Sequence, residues 1–90
     1  MTALQREVRI ANQRGLHARA SAKFVSMASQ LPAQIEVEKD GHRVCGTSIM
    51  GLMMLGAAMG DTITIHAEGD GAEDAVAALA ELVERRFGEE

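Results

Sequence analysis

Val8 and Ile10 alternate with Glu7 and Arg9, and the alternation predicts a first strand over about residues 4–10. Arg6 interrupts its apolar side, as at the start of an edge strand. After a loop over 11–16, Ala22, Val25 and Ala28, with Phe24 beside them, recur at helical spacing and predict a helix over 18–29. Pro32 marks the turn out of it. Gln34 to Glu38 alternates cleanly, so it reads as a strand with one wet face. Asp40-Gly41 is a hairpin signal, with a return strand over 42–46. Thr47 or Ser48 then caps a short helix over about 48–55. Gly60-Asp61 turns the chain into a fourth strand over 62–66. In the last element Ala72, Ala75, Val76, Leu79, Leu82, Val83 and Phe87 recur every three or four residues. Asp70, Glu73 and Asp74 lie at its start and Arg85 and Arg86 at its end, the sense a helix dipole favours, and Gly88 is placed to stop it.

The order is therefore β-α-β-β-α-β-α. Every strand keeps a polar face, so helices can cover only one side of the sheet. The expected fold is α+β, an open-faced β-sandwich with a four-stranded antiparallel sheet and three helices on one face. One domain over residues 1–90 accounts for the whole chain.

Composition narrows the chemistry. Only Phe24 and Phe87 are aromatic, so the core must be aliphatic and base stacking on aromatic rings is not on offer. The net charge of −4 also disfavours nucleic acid as a partner. Residues 1–45 hold seven Lys and Arg against four acids, and residues 46–90 hold two against nine. Positive charge thus gathers in the first half, where Arg14, Arg19 and Lys23 surround His17. Cys45 is single, the first six residues hold no apolar signal core, and the apolar stretch from Ile49 to Met59 is too short for a membrane span. A cytoplasmic monomer without membrane insertion is expected.

The run Gly15-Leu16-His17-Ala18-Arg19 places an imidazole at the mouth of the first predicted helix. A helix start leaves about four backbone N–H groups unpaired and carries about half a positive charge. Histidine is a poor cap there, but an anion bonded to it would fill the role. The site reads as a nucleophile beside a phosphate seat. His42 and His66 show no metal-ligand spacing with His17 or Cys45, so no metal and no cofactor are expected. A second feature is the run Ser48-Ile49-Met50-Gly51-Leu52-Met53-Met54-Leu55, which has no polar residue after Ser48. Leu52 and Leu55 suit a core, which leaves Ile49, Met50 and Met53 exposed as a flexible apolar docking surface.

Together, Gly15-Leu16-His17-Ala18-Arg19 and Ser48-Ile49-Met50-Gly51-Leu52-Met53 resemble the HPr family, the histidine-containing phosphocarriers of the bacterial phosphotransferase system. The likeness extends over nearly the whole chain. It implies that His17 accepts a phosphoryl group on Nδ1 from enzyme I and hands it to a IIA component. It implies that Arg19 steadies that group and that Ser48 is a regulatory site for an HPr kinase/phosphorylase. Docking falls to Ala18, Ser21, Ile49, Met50 and Met53. Such a protein is a carrier in sugar transport or nitrogen regulation, not an enzyme, and it holds its phosphate covalently. The alternative is an adaptor of the same fold, controlled through Ser48, that relays nothing. Two features depart from the family pattern. Ala20 stands where proline is usual, and the loop Asn12-Gln13-Arg14-Gly15 resembles the nitrogen-related branch, NPr. The sequence leaves the branch open.

Overall fold

The computed structural model describes residues 3–89. Its elements are strand β1 (Ala3–Arg9), helix α1 (Ala18–Ser29), strands β2 (Gln34–Lys39) and β3 (His42–Cys45), helix α2 (Ile49–Met54), strand β4 (Thr62–Glu68) and helix α3 (Ala72–Glu84). A single 3-10 turn, Arg86–Gly88, follows α3. The strands form one antiparallel sheet in the order β1-β4-β2-β3. This is the open-faced sandwich that the alternation predicts, with β1 and β3 as edges.

Register explains which side is wet. Val8 pairs with Ile63, and Val37 with Ile65, so their side chains share one face. That face is buried: Val8, Ile35, Val37, Ile63, Ile65 and Ala67 are all less than a tenth exposed. The opposite face carries polar pairs such as His66 with Glu38, 2.8 Å apart, and Arg43 with Glu36. Arg6 shares the parity of Val8 yet stays exposed at the edge and reaches Glu84 of α3 at 3.5 Å. The hairpin between β2 and β3 puts Asp40 and Gly41 at φ values of 53° and 85°. That is the left-handed pair a two-residue turn needs.

Two details depart from the periodicity. The buried residues of α1 are Ala20, Ser21, Phe24 and Ala28, while Ala22 and Val25 are only partly covered. The stripe is rotated because α1 packs against α2 and α3. The second departure is at the end. The helical spacing runs to Phe87, but α3 stops at Glu84. Arg86 and Phe87 then take φ values of 60° and 55°. Each such residue costs ~1–2 kcal/mol. Burying the Phe87 ring to 1 % exposure contributes about 1.5–3 kcal/mol in return. The Lys23 ammonium adds a hydrogen bond to the Phe87 carbonyl at 2.8 Å. Folding back tucks the ring into the core and brings Glu89, two residues on, to the loop that carries His17.

Candidate functional site

The loop before α1 is shaped by Asn12 and Gly15. Asn12 is buried, its carbonyl accepts from Gly15 N–H at 3.3 Å, and its side-chain amide donates to the Gly15 carbonyl at 2.8 Å. Gly15 sits at φ +66°, where a Cβ would run into the Ala57 carbonyl oxygen. Only glycine allows both the left-handed turn and that close approach. Leu16 N–H then donates to the Ala57 carbonyl at 3.0 Å, which ties this loop to the one leaving α2.

His17 is the N-cap of α1, with extended backbone. Its Nδ1 accepts from the Arg19 N–H at 3.2 Å, so the imidazole does the work of a capping oxygen. On the other edge of the ring, Nε2 lies 2.8 Å from Glu89 Oε2. The side chain keeps 16 % of its surface, partly sheltered but open to a visiting protein. Glu89 Oε1 also accepts from the Asn12 side-chain amide at 3.3 Å. Burial pushes the Glu89 carboxyl up. The hydrogen bonds from His17 and Asn12, with the charges of His17 and Lys23, outweigh this and hold it below the ordinary glutamate value.

The other candidates are placed as follows. Arg19 is exposed in the first turn of α1, with its guanidinium in no ion pair among the described residues. Ala18 is exposed beside it. Ser21 corrects the docking set: it is fully buried, its hydroxyl donating to the Leu16 carbonyl at 3.2 Å, and it offers nothing to a partner. Through that bond Ser21 braces the loop instead. Lys23, counted among the cations around His17, is engaged with the tail at Phe87.

Ser48, not Thr47, caps α2, accepting from Gly51 N–H at 3.0 Å. Leu52 and Leu55 are buried, whereas Ile49, Met50 and Met53 are 41, 72 and 43 % exposed. Met54 and Met59 enlarge this apolar surface. Periodicity alone does not single out Met54, because every residue after Ser48 in that helix is apolar, and Met59 lies beyond the helix. The loop contact through Ala57 joins this surface to the segment carrying His17. A cavity of about 590 Å³ opens elsewhere, lined by residues such as Gln34, Arg43 and His66, and it includes none of His17, Arg19 or the exposed methionines. Among the described residues no group of three or more His, Cys, Asp or Glu side chains is placed to hold a metal ion. No helix there is long and apolar enough to cross a membrane.

Comparison with known proteins places this geometry. Residues 4–85 match the family model PTS-HPr, described as the PTS HPr component phosphorylation site. The chain is 44 % identical over 86 residues to the phosphocarrier protein HPr of Cupriavidus necator, covering 96 % of this chain and 97 % of that protein. It is also 40 % identical over 89 residues to the phosphocarrier protein NPr of Shewanella violacea, covering 99 % and 98 %. Among solved structures, an HPr from Thermoanaerobacter tengcongensis superposes with a TM-score of 0.89 at 47 % identity, covering 100 % of this chain and 99 % of that one.

Proposed function

The chain belongs to the HPr family of phosphocarrier proteins, and from that premise we propose that it relays a phosphoryl group through Nδ1 of His17. Enzyme I is the donor and a IIA component the acceptor. The observation that carries the proposal is the position of Nδ1 at the mouth of α1, with the Arg19 amide aimed at it. A nitrogen that accepts from a backbone N–H holds its lone pair on that side. The same lone pair attacks phosphorus, and the bond from phosphorus to the donor's nitrogen breaks, its electron pair staying on the donor. Once Nδ1 is bonded to phosphorus it can no longer accept from Arg19 N–H. That amide is freed for a phosphoryl oxygen, alongside the other first-turn amides that have no intrahelical acceptor.

The Arg19 guanidinium, exposed and uncommitted, adds charge without enclosing the group. Weak retention suits a carrier that must release its load. Because the transition state for phosphoryl transfer is loose, alignment of donor, phosphorus and acceptor matters most. Ala18, Ile49, Met50 and Met53 supply the apolar surface for such alignment, with interfaces at or below ~1,200 Å². Ser48 is the proposed regulatory site. A phosphate there would bring about two negative charges into this apolar surface.

The test is incubation with enzyme I and labelled phosphoenolpyruvate. The wild type is expected to take up acid-labile label and His17→Ala none. Label entering His17→Ala at His42 or His66 would overturn the assignment.

A further inference from the structure

The ring of His17 is gripped at both nitrogens, and the second grip comes from 72 residues away. Glu89 reaches it because Phe87 is anchored in the core and Lys23 holds the Phe87 carbonyl. Asn12 fixes the other end of the carboxylate. Its amide nitrogen faces two acceptors, the Gly15 carbonyl and Glu89 Oε1, while its Oδ1 is buried with no partner. Turning that amide over would set an oxygen against two oxygens, so the donor side is settled. The carboxylate is thus bracketed between a fixed amide and the imidazole.

We propose that Glu89 is a positioning residue for phosphoryl transfer: its carboxylate holds the proton on Nε2 of His17 and so keeps the lone pair on Nδ1, towards the helix mouth. This rests on the relay through His17 proposed above. A neutral imidazole carries one proton, and with Nδ1 accepting from Arg19 N–H that proton is on Nε2, donated to Glu89 Oε2. When the Nδ1–phosphorus bond forms, the ring gains positive charge shared with Nε2–H, 2.8 Å from the carboxylate. The proton stays on Nε2, and the ion pair offsets the charge that develops. The carboxylate is on the ring edge opposite Nδ1, so it does not stand where the phosphoryl group arrives. Like any glutamate near its ordinary value it is ionised at neutral pH, and the bonds from His17 and Asn12 favour that form further.

Nitrogen-15 NMR of the His17 ring and single-turnover phosphorylation by enzyme I, on the full chain and on Glu89→Gln, test the idea. The wild type should show one tautomer with the proton on Nε2. In Glu89→Gln the ring nitrogens should shift towards a tautomer mixture. The transfer rate should fall about tenfold, the lower end of what an oriented carboxylate partner contributes to a working histidine. The loss should appear in the maximal single-turnover rate and not in the concentration of enzyme I that half-saturates it, since Glu89 stands apart from the methionine surface. An unchanged tautomer would overturn the proposal, as would a shifted tautomer with the wild-type rate. Failure of the relay itself looks different: neither protein takes up phosphoryl groups although the ring nitrogens shift, and the role of Glu89 in transfer falls with it.

Discussion

Two helix mouths in this molecule are built from the same device with opposite results. At α2 the Ser48 hydroxyl accepts from Gly51 N–H at 3.0 Å, three residues on, which is the ordinary serine cap. At α1 the His17 ring accepts from Arg19 N–H at 3.2 Å, only two residues on, and through a flat ring that a cap bond alone would not orient. The serine needs no help from elsewhere. The histidine is held by a carboxylate delivered from the far end of the chain. A self-sufficient cap stabilises a helix without a partner from another segment. A borrowed cap depends on a distant segment, and on the proposed relay that helix mouth is where a phosphoryl group is received and released. Length sharpens the contrast, since α1 has 12 residues and α2 only 6.

The comparison can be broken first at the anchor of the tail. Phe87→Ala removes a ring that is 1 % exposed and is expected to cost about 3–5 kcal/mol, read by thermal or urea unfolding. It should also slow phosphorylation at His17 in the fraction that remains folded. A normal transfer rate in that fraction would show that the histidine cap does not depend on the tail. Next, Arg19→Ala should slow transfer by ~10-fold or more while unfolding stays at the wild-type midpoint, because the side chain is exposed and holds no other group. Equal rates for the two proteins would show the guanidinium to be idle. Smallest is Ser48→Ala, expected to cost about 1 kcal/mol in stability through the lost cap and to leave phosphoryl acceptance at the wild-type rate. A large fall in rate on that change would erase the distinction between the two helix mouths.

Much of this molecule follows from the chain read on its own. Strict alternation in Gln34–Glu38 and Thr62–His66 determined a sheet with one wet face, because a period of two leaves no choice of side. Asp40-Gly41 determined the hairpin, since those residues tolerate the left-handed backbone it demands. The helix start after Gly15-Leu16-His17 and the exposure of Met50 and Met53 in α2 were legible for similarly local reasons, while the exposure of Met54 was not. What local pattern could not determine was where side chains from distant segments meet. Phe87 keeps helical spacing with Val83, yet the core drew it back through two left-handed residues. Ser21 lies four residues past a half-buried histidine and still ends fully inside. Glu89 reads in sequence as one more acid in an acidic second half, and only the folding back of Phe87 brings it to the imidazole. Periodicity reports each residue's environment within its own element. Contacts between Asn12, His17 and Glu89 depend on how the elements close around a shared core, and no spacing along the chain encodes that.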